Sequence, residues 1–368
     1  MEEKENFKLD SFIFHYVYVV VFISIYVLSN NQLDSIYLYT KVFNLITTLI
    51  ILFFLLAKII MANPMPKIKL NDLILFQIII NIVFLTILIR KYINFHWIYL
   101  FFAYFYFYKK NIELNQIFRR LVLTIVFFSV IYQLLTTRFM GIRPVINWYD
   151  PNYSGFFLFL LFLFLKYENM KIMSIIIFIT GFFTLSRSYV LATLVYILIN
   201  NTSFIKSLII KIKLNNFFIV MIISLLVLSF IEISFINIDR RLEATQNNIE
   251  KMYKLADASN QDRFTANVIF KKELFDNFFD YQFGVDQDWY IKNVFINTPH
   301  NSFYALIVNY GVYFTFFYIM IFGRIYNKFF IKQNIAIIMS IFTYYIFLGG
   351  GLQGYPSILI FYLLSLKK

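Results

Sequence analysis

Residues 12–28 read FIFHYVYVVVFISIYVL, an apolar and strongly aromatic run that contains no charged residue. A helix needs about 20 apolar residues to cross a bilayer, and this run approaches that length. It is longer and more aromatic than the core of a signal peptide, and no small-residue cleavage site follows it. We therefore expect it to remain in the protein as the first membrane span.

The composition extends this expectation to the whole chain. Of the 368 residues, 60% are hydrophobic, 21% are aromatic and only 14% are charged, which excludes a soluble domain of this size. The fold class that we predict is an all-α polytopic membrane protein with about twelve transmembrane helices. The predicted spans begin near Phe12, Val42, Asp72, Ile93, Leu121, Tyr153, Ile172, Tyr189, Phe217, Asn301, Gln333 and Leu352.

The orientation follows from the lysines and arginines, which are enriched in cytoplasmic connectors. With both termini in the cytoplasm, the basic pairs Lys109-Lys110 and Arg119-Arg120 and the terminal Lys367-Lys368 all fall on the inner side. The net charge of +13 is thus a topology signal and indicates no nucleic-acid partner. The chain has no cysteine, so disulfides and thiolate chemistry are excluded. The excess of Ile, Phe, Asn and Lys is typical of an AT-rich bacterial genome, so the predicted location is a bacterial cytoplasmic (inner) membrane.

One polar segment interrupts the single predicted membrane domain, 1–368. Residues 238–299 form a loop of 62 residues between the ninth and tenth spans, and the charge pattern places this loop outside. Helices are predicted from Arg241 to Lys254 and from Phe264 to Leu274, with a break at Asp276-Asn277 and Gly284. The loop leads into Pro299-His300-Asn301-Ser302, which puts an ionisable histidine at the mouth of a span.

Two polar turns lie between spans that are too short to cross the membrane fully. Arg187 is sixteen residues after Lys171, and Asp150 is sixteen residues before Lys166. Sixteen residues rise about 24 Å, against about 30 Å for the hydrocarbon core. We therefore expect Ser186-Arg187-Ser188 and Asp150-Pro151-Asn152 to lie at a similar recessed depth, where a buried arginine requires an anion, an acidic partner or water.

Each of these residues also has a purely structural interpretation. Arg187 would pair with Asp150 and lock two helical hairpins, instead of binding an anion. Asp150 and Asn152 would cap a helix, because their side chains accept hydrogen bonds from free amides. His300 would only precede a helix that Asn301 caps.

Four motifs occur in order along the chain: Asp150-Pro151-Asn152, Thr184-Leu185-Ser186-Arg187-Ser188, Arg263 with an apolar helix running to Phe283-Gly284, and Pro299-His300-Asn301-Ser302 before Asn309-Tyr310-Gly311. Together they resemble the superfamily of O-antigen ligases and Wzy-type polysaccharide polymerases, which are bacterial membrane glycosyltransferases. The resemblance covers roughly Arg143 to Gly311. Two positions depart from it: no Trp follows Arg263, and Asp286 replaces the second glycine of a Gly-x-Gly.

The resemblance implies a GT-C-like helical fold and a metal-independent, inverting transfer of glycan from an undecaprenyl diphosphate carrier on the outer face of the membrane. Arg187 and Arg263 would hold the diphosphate, since the guanidinium fork suits phosphate oxygens, with Arg143 as a further arginine. His300 would act as general base. Asp150, Asn152, Ser186 and Asn301 would line the substrate site.

Two groups of functions remain open. Among enzymes, the first candidate is a polymerase of O-antigen or capsular repeat units. A ligase that transfers glycan to lipid A core would have the same fold and need the same arginines and histidine. A peptidoglycan-polymerising glycosyltransferase is a further option. The alternative class is a flippase for lipid-linked oligosaccharides, although the two halves lack a repeat of interrupted helices. For the polymerase, the expected partners are the lipid-linked oligosaccharide, the growing glycan, a chain-length regulator and a flippase, with no cofactor and no metal.

Overall fold

A computed structural model of the chain describes residues 2–27, 46–54, 70–90, 96–109, 113–136, 146, 151–203, 258–285, 287–294, 299, 301–347 and 354–366. Within these ranges all regular structure is helical, without a strand. The helices are α1 (Glu2–Phe22, continued by a π-helical turn, Ile23–Val27), α2 (46–54), α3 (Leu70–Arg90), α4 (His96–Ala103, continued by π-helical Tyr104–Lys109), α5 (Gln116–Thr136), α6 (Pro151–Tyr167), α7 (Lys171–Phe183), α8 (Arg187–Asn201), α9 (Ala258–Asp276), α10 (Gln287–Asn293), α11 (Ser302–Phe329), α12 (Ile335–Phe347) and α13 (Gly354–Ser365).

The helical class that the sequence predicts is confirmed, but the count of twelve spans is not. Three helices among the described residues are long and apolar enough to cross a bilayer: Asp10–Val27, Gln116–Thr136 and Ser302–Phe329. Other apolar helices, such as Lys171–Phe183, are shorter. The run near Phe217 lies outside the described residues. Hydropathy does not separate a full span from a short buried helix, so the apolar helices indicate a membrane protein without fixing how often it crosses.

Two helices occupy the centre of the bundle. In α6 the side chains from Phe156 to Leu165 are all buried, and in α13 those from Ile358 to Leu364 are fully buried. A helix that is apolar on every side must be surrounded by other helices. Helices α7 and α8 pack against α6, α12 packs against α8, and α1 and α4 pack against α13. Apolar side chains on the outer faces of α5, α7 and α8 remain exposed, as expected for helices that face lipid.

Connectors that the charge pattern assigns to one side of the membrane contact each other at one end of the bundle. The Arg119 Nε atom lies 2.5 Å from Oε1 of the buried Glu168, which links the start of α5 to the turn after α6. The Lys328 Nζ atom, near the end of α11, donates to the carbonyl oxygens of Phe107 and Tyr108 at 2.7 and 2.8 Å. This basic end lies opposite the starts of α6 and α8.

Candidate functional site

The first turns of α6 and α8 meet at the end of the bundle opposite the basic connectors. Helix α6 begins at Pro151, a favourable first residue because proline has no amide hydrogen to leave unpaired. Helix α8 begins at Arg187, and Ser186 is its N-cap. Both predicted helix openings are therefore confirmed. The two starts are also in contact, which goes beyond the similar depth predicted from the short connectors.

Ser186 holds this contact together. Its buried hydroxyl donates to Asn152 Oδ1 at 3.1 Å and accepts from the Tyr189 amide at 3.2 Å. The Ser188 hydroxyl oxygen lies 2.9 Å from the Ser186 hydroxyl oxygen. The cap and the link between helices thus share one side chain. We refer to Asn152, Ser186, Arg187 and Ser188 as the α6–α8 junction.

The backbone around the α6–α8 junction is tightly packed. A Cβ atom on Gly155 would lie 2.9 Å from Cβ and 3.0 Å from Oγ of Ser186, so only glycine permits this approach. Leu185, in the turn before the cap, has a φ of 49°. A leucine rarely adopts this left-handed conformation, and strain of this kind persists only where the surroundings hold it. The α7–α8 turn is therefore a fixed structure.

Arg187 stands at the first position of α8 with an exposed side chain. The positive ends of two helix dipoles and a guanidinium converge here, an arrangement that attracts anions. Asp150, the other candidate partner of Arg187, lies outside the described residues, as does Arg143. Pairing with Asp150 and binding of an anion therefore both remain predictions.

The second group of predicted residues is associated with the polar loop. The predicted helix from Phe264 to Leu274 and its end at Asp276 are confirmed, because α9 covers Ala258–Asp276. Arg263 lies in the first half of α9; its side chain is outside the described part. The predicted helix from Arg241 to Lys254 lies outside the described residues.

An aromatic cluster joins the loop to α11. It consists of buried Phe270, Tyr281, Val285, Tyr290, Tyr304 and Val308. The Phe270 ring packs against those of Tyr281, Tyr290 and Tyr304 at centroid distances between 5.2 and 6.2 Å. Burial raises the pKa of Tyr281 and of Tyr290, and the Glu273 carboxylate adds to both shifts. These phenols therefore stay neutral and serve as packing groups.

The start of α11 is capped as the sequence predicts. Asn301 is fully buried, and its Oδ1 atom accepts from the amides of Phe303 at 2.9 Å and Tyr304 at 3.4 Å. Pro299 is buried as well. His300, which lies between these two residues in the sequence, is outside the described residues. Its assignment as a base, and the purely structural alternative, are both untested.

Gly284 and Gly311, which end the third and fourth motifs, contact each other. Gly311 interrupts α11 with φ 87° and ψ 166°, and Gly284 has φ 76°. A Cβ atom on Gly284 would lie 2.9 Å from the Gly311 amide nitrogen, and one on Gly311 would overlap the Gln282 carbonyl oxygen. The Val285 amide donates to the Val308 carbonyl at 2.8 Å. We call this contact the glycine interlock.

Two features of these sites were not predicted from the sequence. Gly155 is absent from the predicted residues of the α6–α8 junction, although a glycine four residues after Pro151 is a recognisable sign of close helix packing. The glycine interlock was also missed, because its two halves are 27 residues apart in the chain. Within the described ranges, no group of three His, Cys, Asp or Glu side chains is suitably placed for a metal ion.

Comparison with known proteins does not assign the chain to a family. No family model matches the sequence, and neither a curated protein nor a solved structure matches it.

Proposed function

We propose that the protein is a membrane polymerase that joins undecaprenyl-diphosphate-linked oligosaccharide units into a surface polysaccharide, such as O-antigen or capsule. The supporting observation is the α6–α8 junction, where the Ser186–Asn152 hydrogen bond ties two helix starts together beneath an exposed arginine. Converging helix dipoles and an exposed positive charge suit a diphosphate, which is the leaving group of this reaction.

Arg187 and Arg263 have the task of binding the diphosphate of the donor. An arginine stays protonated and offers two parallel N–H groups, so it stabilises the negative charge that grows on the diphosphate as it leaves. Ser186 and Asn152 hold together the two helix starts, one of which carries Arg187. Rigid placement matters, because displacement of a reacting group by about 1 Å can cost about 10²-fold in rate.

His300 has the task of activating the acceptor. A neutral imidazole takes the proton from a sugar hydroxyl of the acceptor as the hydroxyl oxygen bonds to C1 of the donor sugar. The bond between C1 and the diphosphate oxygen breaks, and its electron pair leaves with undecaprenyl diphosphate. Attack from the face opposite the leaving group inverts the configuration at C1.

Purified protein in liposomes provides the test. With purified lipid-linked repeat units as the only substrate, the proposal predicts a ladder of longer chains without nucleotide sugar or ATP, and with a metal chelator present. Transfer to lipid A core without a ladder would favour the ligase. Movement of intact units between leaflets without chain growth would favour the flippase.

A further inference from the structure

We infer that α11 is two structures joined at Gly311: 312–329 crosses the membrane, and 301–310 belongs to an exterior body together with α9, the 3-10 turn Phe278–Tyr281 and α10. We name this body the exterior unit. One part of the inference rests on the proposed function: the exterior unit holds Arg263 and position 300 in a fixed spatial relation. Gly284 and Gly311 are then positioning residues.

The length of α11 gives the first argument. It has 28 residues and would extend about 42 Å if straight, which exceeds a hydrocarbon core of about 30 Å. The part after Gly311, 312–329, accounts for about 27 Å of that length and matches the core. The part before Gly311 would then project beyond the bilayer by about 13 Å.

The surroundings of the two parts give the second argument. Before Gly311 the side chains of α11 are buried or half-buried, and Tyr304 and Val308 pack in the aromatic cluster of the loop. After Gly311, Phe316 is 54% exposed and Tyr313 is 39% exposed. Large apolar side chains exposed on a membrane helix face lipid, whereas the first part is covered by protein.

The hydrogen bonds at the break give the third argument. A helix interrupted in a membrane protein needs other partners for its backbone groups. The loop supplies them: the Val308 carbonyl accepts from Val285, and the Tyr313 amide donates to the Gln282 carbonyl at 3.4 Å. Both glycines have positive φ and touch, so a side chain at either position would separate the loop from α11.

As a consequence, the proposed site residues would lie at two different heights along the membrane normal. Measured from the basic end, α8 extends about 22 Å and 312–329 about 27 Å, so Arg187 and Gly311 lie at comparable heights. Arg187 would be at the floor, where a lipid-linked diphosphate arrives from the membrane. Arg263 and position 300 would be carried above it by the exterior unit, where the sugar end of a lipid-linked acceptor projects out of the membrane.

A disulfide tests the glycine interlock, because the chain has no native cysteine that would compete for the cross-link. Val285 and Val308 are joined through their backbones and share one apolar cluster, so the double variant Val285→Cys/Val308→Cys should cross-link readily in membranes. The cross-linked protein should extend chains as fast as its reduced form. No cross-link, or a cross-link that stops chain growth, would overturn the inference.

Substitution of the glycines tests positioning. Gly311→Ala should lower the rate of chain growth by about 10²-fold while expression stays normal, and the cysteine pair should restore the rate when oxidised. Gly323→Ala is the matched control, since Gly323 lies in the same helix with helical backbone angles. A Gly311→Ala protein with unchanged rate would contradict the positioning role. If wild type makes no chains but the cysteines cross-link, the proposed function fails and the interlock stands.

Spin labels test the position of the bilayer boundary. A label at Asn293→Cys, which is exposed on α10 of the exterior unit, should collide mainly with a water-soluble nickel complex, and a label at Phe316→Cys mainly with oxygen dissolved in lipid. Predominant collision with oxygen at both positions would place the exterior unit inside the bilayer and overturn the division at Gly311.

Discussion

The α6–α8 junction and the exterior unit solve the same problem, the fixing of a charged or reactive residue at a helix start, by different means. At the junction, side chains do it: Ser186 caps α8 and also binds Asn152 on the neighbouring helix. In the exterior unit the backbone does it, through two glycines that only the folded chain brings together. The first arrangement is local and rigid, and the second joins a loop to a membrane helix.

This difference suggests a division of labour. In the proposed function the junction binds the diphosphate of the donor at the membrane, so changes there should weaken donor binding. The exterior unit would act on the sugar of a lipid-linked acceptor, which projects out of the membrane, so changes to its histidine should slow the reaction and leave donor binding intact.

Labelling of single cysteines on the two sides of the membrane should give an all-or-none result. Asn248→Cys in the loop should react with a membrane-impermeant thiol reagent in intact cells, and Gln333→Cys should react only after the cells are opened. Gln333 is exposed, whereas the neighbouring Asn334 is buried and donates to the carbonyls of Phe329 and Leu364, so Asn334 is unsuitable for labelling. Equal labelling at both positions would refute the predicted topology.

Replacement of the base should have the largest effect on rate. His300→Ala should lower kcat for chain growth by about 10² to 10⁴-fold, the usual contribution of a general base. The KM for lipid-linked units should stay near its wild-type value. A variant that keeps its full kcat would leave His300 with no role beyond preceding the cap of α11.

Arg263 links the two regions, because it is carried by the exterior unit but is proposed to bind the donor diphosphate. Arg263→Ala should cost about 2 to 5 kcal/mol in donor binding, and Lys should restore part of it because it lacks the bidentate fork. The measurement is the KM for lipid-linked units in the liposome assay. Lys272→Ala is the control, since Lys272 is an exposed cation on the same helix. Equal effects from both would mean that only the net charge of α9 matters.

The cap of α8 should have the smallest effect. Ser186→Ala removes both the cap and the bond to Asn152, and loss of a cap costs about 1 kcal/mol of the free energy of unfolding. Thr180→Ala is the matched control, because its hydroxyl donates only to the Ile176 carbonyl in its own helix. Thermal unfolding in detergent should show a lower midpoint for Ser186→Ala alone. Identical midpoints would show that the cap does not hold the junction.

The sequence predicted local features better than contacts between distant segments. The helix starts at Pro151, Arg187 and Ser302 are marked in the sequence by a proline at the first position or by Ser or Asn as the N-cap. Their positions along the chain could therefore be predicted. The number of full spans could not be obtained, because an apolar run has the same composition whether it crosses the bilayer or stays inside the bundle. The break at Gly311 lies in an apolar run that predicts an uninterrupted helix, and only the contact with Gly284 explains it.

Direct binding measurements test whether the α6–α8 junction binds a diphosphate through Arg187, as the proposed function requires. Purified wild type should bind undecaprenyl diphosphate more tightly than undecaprenyl monophosphate. Arg187→Ala should lose that preference and Arg187→Lys should keep part of it, while Arg120→Ala, at the basic end, should behave as wild type. Equal affinity of wild type and Arg187→Ala for undecaprenyl diphosphate would contradict the claim.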